Sequence, residues 1–152
     1  MKVKTTRFGE IEVDDSRIMD FDKGILGFPE DPKFVLLQTN EEGNFFWLQS
    51  TSRPELAFVV SDPLLFEPNY QVPIKEDDFK EIGLDNMADA QVLIIINKID
   101  RMLTGNMQGP LVINARNCKG RQLVLSEKKY KTRHPLVNLD VAPQQKEVSK
   151  TA

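Results

Sequence analysis

The feature that most constrains this chain is a succession of short β-branched and aromatic runs, each closed by turn-forming residues. FVLLQ at 34–38, FFWLQS at 45–50 and LAFVVS at 56–61 are separated by Glu-Glu-Gly-Asn and by Ser-Arg-Pro, which suits antiparallel strands. Ahead of them Glu10-Ile11-Glu12-Val13 alternates polar and apolar residues after a β-favouring VKTTRF, so the chain opens with a hairpin turning near Gly9. Ser16 to Met19 reads as a further short strand. DKGILGFPEDP at 22–32 crowds Gly and Pro among turn-forming acids and reads as a structured loop. QVLIIINKI at 91–99 has the Val/Ile content of a buried central strand, and PLVINA (110–115) and GRQLVL (120–125) flank a turn at Arg116-Asn117-Cys118-Lys119.

One stretch departs from this rhythm. Pro63, Pro68 and Pro73 fall close together and forbid a long regular element, so the region is mostly loop. IKEDDFKEIGL at 74–84 then places Ile74, Phe79 and Ile82 at near-helical spacing, with acids in the first turn and Gly83 as a stop. About nine short strands, one short helix and no βαβ rhythm predict a mainly β fold: an antiparallel β-barrel-like domain, or a barrel-like sandwich, with a small helical insertion. A chain of 152 residues suits one core. The single domain is expected over residues 1–139, and the aperiodic 140–152 is expected to be a disordered C-terminal tail.

Charge is distributed unevenly, with −5 over residues 1–66, −5 over 67–100 and +7 over 101–152. The acidic first two-thirds disfavours contact with a phosphate backbone, which is bound by Lys and Arg. The basic final third keeps open a direct RNA-binding reading through Arg116, Lys119, Arg121, Lys128, Lys129, Lys131 and Arg133. The longest apolar run, VLIII at 92–96, is far too short to cross a bilayer, and the N-terminus has no apolar stretch behind its lysines. The expected location is cytoplasmic.

Motifs for chemistry are weak throughout. Asn97-Lys98-Ile99-Asp100 after VLIII resembles the guanine-reading element of GTPases, yet no GxxxxGK loop accompanies it, and it reads as the polar end of a core strand. Cys118 and His134 are the only residues of their kinds, which excludes an internal disulfide and any thiolate metal cage and leaves no ligand spacing. His134, between Arg133 and Pro135, is expected to be a hydrogen-bonded histidine fixing the run into the last ordered segment. Ser50, Ser52 and Ser61 lack a nucleophile elbow. Asp14-Asp15, Glu41-Glu42 and Asp77-Asp78 sit beside turn signals as solvated pairs. No enzyme, no metal and no cofactor is expected.

PLLFEPNY at 63–70 is different, because a Pro-broken loop cannot readily bury Leu64, Leu65, Phe66 and Tyr70 together. Beside the acidic helix of Asp77, Asp78 and Glu81 it reads as a partner-binding patch, with aromatic anchors and charges that steer encounter.

Together FDKGILGF (21–28), FFWLQS (45–50), PELAFVVSDPLLFEPNY (54–70), GPLVINARNCKGRQLVL (109–125) and YKTRHPL (130–136) resemble the FliW family in order and spacing. Leu26 stands where that family suggests proline, and Cys118 where arginine is usual. The resemblance implies a non-enzymatic cytoplasmic flagellar assembly factor that binds flagellin before export. It also implies that, when free of flagellin, the protein binds and antagonises CsrA, the translational regulator that blocks flagellin mRNA. The expected CsrA contacts are Phe66, Tyr70, Asp77, Asp78 and Glu81, and the flagellin surface is left unassigned.

Overall fold

The computed structural model describes residues 1–38 and 43–140. Its strands are β1 (Lys2–Thr5), β2 (Gly9–Glu12), β3 (Met19–Asp20), β4 (Lys33–Gln38), β5 (Phe45–Ser50), β6 (Ala57–Ser61), β7 (Ala90–Ile99), β8 (Met102–Gly105), β9 (Leu111–Asn114), β10 (Gly120–Gln122) and β11 (His134–Asn138). One α-helix, α1 (Glu76–Glu81), lies between β6 and β7. Most of the expected tail, and the Glu41-Glu42 pair, lie outside the described residues.

β1 and β2 form the expected hairpin. The remaining strands make a curled antiparallel sheet in the order β10-β9-β7-β6-β5-β4-β3, with β8 beside β7 and β11 beyond β8. The two ends of that order meet where the Asp20 N–H donates to the Cys118 carbonyl at 2.9 Å, which draws the sheet toward closure. The mainly β, barrel-like architecture is therefore the one read from the sequence.

β7 is the pivot. Ile94 to Ile96 pair with β6 on one side, while Ala90 to Leu93 pair with β9 and Ile96 to Ile99 with β8 on the other. Its apolar run is continuous because both faces are covered. Leu93 joins one core with Phe21, Phe34, Leu48, Val60, Leu111 and Ile113. Ile94 and Ile96 join a second core with Tyr70, Ile82, Leu84, Met107, Val112 and Tyr130. The loop after β6, α1 and the segment after β10 thus act as a cover over one face of the sheet. Packing around β10 is close: a methyl placed on Gly120 would lie 2.5 Å from the Phe21 ring, so only glycine lets that strand pass over the buried phenylalanine.

Four local readings change. Residues Asp15–Arg17 form one turn of 3-10 helix rather than part of a strand, because the Asp14 carboxylate accepts the Ser16 N–H at 2.9 Å and caps it. β10 stops at Gln122, and Leu123 and Leu125 turn inward as core residues, their N–H groups donating to the carbonyls of Pro110 and Gln108. β8 and β11 escape the reading altogether, since MLTG is short and Pro135 sits at a register shift that only an edge position tolerates. His134 opens β11 against Gly105, but its buried Nδ1 has no hydrogen-bond partner among the described residues, contrary to the expected hydrogen-bonded role. The Asn97 to Asp100 run, as expected, is the polar end of β7, where Asp100 and Arg101 turn the chain into β8.

Candidate partner-binding surface

β6 ends at Ser61, and the chain then makes a one-turn 3-10 helix at Pro63–Leu65, capped by the Asp62 carboxylate on the Leu64 N–H at 2.9 Å. Proline at the first position fixes the turn and leaves the next two side chains outside it. Leu64 is 51% exposed and Leu65 54%. Full burial of two leucines contributes roughly 3–6 kcal/mol, and with each about half exposed the loop forgoes roughly half of it.

The aromatics of the same loop point inward. Phe66 is half-buried and packs on Phe45, ring centroids 6.2 Å apart. Tyr70 is buried, packs edge-on to Tyr130 at 4.8 Å, and donates its hydroxyl to the Met107 carbonyl at 2.6 Å. Burial pushes that phenol well above its ordinary range, and Tyr130 adds to the shift. Tyr70 is therefore a strut of the cover, its hydroxyl already bonded and its ring packed on Tyr130.

The acids of α1 divide in the same way. Its first turn carries Glu76, Asp77 and Asp78, favourable to the helix dipole, and Gly83 at φ +64° closes the end as expected. Asp78 faces Arg121 of β10, with carboxylate to Nε 3.0 Å and the acid side chain only 15% exposed. The same guanidinium reaches Glu81, which also binds Lys23 at 2.7 Å. Asp77 is exposed and, unlike Glu76, Asp78 and Glu81, has no ion pair among the described residues. Of the five residues expected at the site, the structure thus leaves one acid free and builds the other four wholly or partly into the cover.

Of those five only Tyr70 lines the groove of about 560 Å³ that lies between the Asp62 to Leu65 turn and the start of β7. Leu64, Leu65, Val72, Ile74, Met87 and Val92 supply most of its apolar lining, with Tyr70 at its base. Met87 is 53% exposed and begins another one-turn 3-10 helix, Met87–Asp89, capped by Asn86 on the Ala88 N–H. The sequence reading missed Met87; the cap residue Asn86 was the available signal. A second hollow of about 110 Å³, among Asp20, Asp22, Lys23, Glu81, Lys119 and Arg121, is below the size of ordinary ligand sites. Burial and the neighbouring Asp22 raise the Asp20 carboxyl above its usual value.

The basic final third is scattered in its uses. Arg121 is committed to α1, Arg116 lies 4.0 Å from Asp89, and Lys129 sits over the Tyr130 ring at 5.1 Å. Lys119, Lys128, Lys131 and Arg133 are exposed.

Comparison with known proteins converges on one family. The model described as "FliW protein" matches residues 2–136. A flagellar assembly factor FliW of Syntrophus aciditrophicus is 37% identical over 139 residues, covering 90% of this chain and 88% of that protein. One from Treponema denticola is 38% identical over 139 residues, covering 90% and 94%. A crystal structure of the flagellar assembly factor FliW superposes with a TM-score of 0.81 at 34% identity, covering 89% of this chain and 96% of that one.

Proposed function

We propose, from the premise that this chain belongs to the FliW family of flagellar assembly factors, that it works in the cytoplasm as a non-enzymatic holder of protein partners. In this reading it binds flagellin before export. When flagellin is scarce, the free protein takes up CsrA and relieves repression of flagellin translation. When flagellin accumulates, it occupies the protein and CsrA returns to the message. Such a switch requires only that the two partners bind with unfavourable coupling.

The observation that supports a partner surface is the groove with Leu64, Leu65 and Met87 exposed along it. Apolar side chains clustered at a concavity and flanked by charge are the usual mark of a protein contact. We assign CsrA to this groove, with Asp77 as the free steering acid and Phe66 next in the chain to the groove-lining Leu65. Asp78, Glu81 and Tyr70 hold the frame, and flagellin is given no surface. A basic, RNA-binding partner suits the surplus of acids in the segment that builds the groove.

Passing the protein, CsrA and flagellin over a sizing column in pairs and together tests the switch. The expected result is two binary complexes, with flagellin displacing CsrA. Co-elution of all three, or of neither pair, would reject it. Retention of flagellin leader RNA by the protein alone would favour direct RNA binding through Lys128, Lys131 and Arg133.

A further inference from the structure

The groove contains an unpaired strand edge. In the β6–β7 ladder Val59 stands opposite Ile96, Val60 opposite Ile95 and Ser61 opposite Ile94. Continued in register, Asp62 would face Leu93 and Pro63 would face Val92. The ladder stops there because Pro63 has no N–H to donate, and its carbonyl is already used by the N–H groups of Phe66 and Glu67 at 3.1 and 2.9 Å. β7 nevertheless continues as strand for four residues beyond that point, held from its other side by β9.

Alternation fixes which backbone groups are left over. The Asp89 carbonyl accepts from Ala115 and the Ile95 carbonyl from Asn106, so odd-numbered residues of β7 point toward β9 and β8. Ala90 and Val92 therefore point the opposite way, into the groove. The Ala90 N–H is taken by the Met87 carbonyl. That leaves the Ala90 carbonyl and both backbone groups of Val92 without a hydrogen bond among the described residues. Ala90, Gln91, Val92 and Leu93 all line the groove, as an open edge does when both faces of a strand meet a cavity.

From this we infer that the groove takes its partner by strand addition: an extended segment pairs with the Ala90 to Leu93 edge of β7, in the lane that Pro63 keeps empty. Such a segment gains affinity from main-chain bonds and specificity from alternate side chains. Its alternate residues are apolar, because Leu64, Leu65 and Met87 on the rim and Val72 and Ile74 on the wall are. Its ends are basic, because Asp62 lines the groove and, with Glu67, Asp77 and Asp85 of the segment that builds it, has no ion pair among the described residues, against Lys75. The inference rests on the reading of this groove as a partner surface and supplies its mode of recognition.

A ten-residue synthetic probe with valine at alternate positions, threonine between them and two lysines at each end tests the mode on the intact protein. Amide exchange followed by NMR is expected to show the Val92 N–H slowed by roughly tenfold or more at saturating probe. N-methylation of the probe on one alternate set of residues should abolish binding, and methylation of the other set should leave it. Val92→Pro removes the groove-facing N–H while sparing the bonds to β9, and should lose the probe with the sheet's circular dichroism retained. Unchanged Val92 exchange while the probe binds, as a docked helix would give, overturns the inference. So does equal tolerance of both methylation patterns, or no binding up to about 1 mM. Should Leu64→Ser/Leu65→Ser abolish CsrA binding while Val92 exchange stays unmoved by the probe, the surface stands and strand addition falls.

Discussion

Asp78 and Arg121 lie 3.0 Å apart, carboxylate to guanidinium, and that contact fastens the α-helix of the cover to the edge strand β10. The pair turns an acidic helix that reads as a docking surface into part of the protein's own frame. Arg121 is 27% exposed and Asp78 15%, so the charges are screened less than an ordinary surface pair.

Arg121→Met should therefore destabilise by about 2–3 kcal/mol, since it leaves Asp78 half-buried without its cation. Asp77→Lys, on the exposed side of the same turn, should stay within about 0.5 kcal/mol of the parent. Denaturant unfolding of the two variants distinguishes them; equal effects would mean that the ion pair holds nothing. Reversing Asp77, Asp78 and Glu81 together would confound steering with unfolding, so Asp77→Lys is the clean charge test. Its association with CsrA should slow most visibly at low salt.

Tyr70→Phe should cost about 1–2 kcal/mol, because the Met107 carbonyl then loses the donor that satisfies it in a buried place. The expected fall in Tm is about 3–6 °C for a chain of this length. CsrA affinity measured below the transition should stay unchanged, in keeping with a strut. Lost affinity with an unchanged Tm would instead make Tyr70 an anchor.

Asp20 offers a pH test. Its carboxyl is raised in the fold, first by burial and then by Asp22, so the folded state holds that proton more tightly than the unfolded chain does. The resulting stability is fully present below the unfolded value of 3.8 and is lost as pH rises through the folded one. Asp20→Asn should therefore gain on the parent as pH climbs out of the acid range. A stability difference that does not vary with pH would contradict the assignment.

The strands were legible where the apolar period and the turn residues agreed, as in FVLLQ, FFWLQS, LAFVVS and QVLIIINKI. β8 and β11 were not: MLTG is a short run hidden behind the polar end of β7, while β11 pairs with β8 from far along the chain and Pro135 argues locally against a strand. At the site, Leu64 and Leu65 could be suspected from a Pro-broken loop that had too much apolar surface to bury. The sequence could not show that Arg121, some forty residues downstream, neutralises Asp78 and Glu81. Nor could it show that Tyr70 meets Tyr130 and Met107. Both facts are set by how the cover folds onto the sheet, which no local pattern encodes. Pro63 is the reverse case: its missing N–H is written in the sequence, but its consequence for Val92 appears only with the register of β6 on β7.

In the proposed function CsrA docks in the groove flanked by Leu64, Leu65 and Met87. Titrating CsrA calorimetrically into the parent and into Leu64→Ser/Leu65→Ser tests it most directly, since both side chains are exposed and their loss should leave Tm nearly unchanged. The expected result is a loss of affinity of roughly tenfold or more, as for apolar residues at the centre of a contact. A variant that folds as the parent does and binds CsrA equally well would place the partner elsewhere.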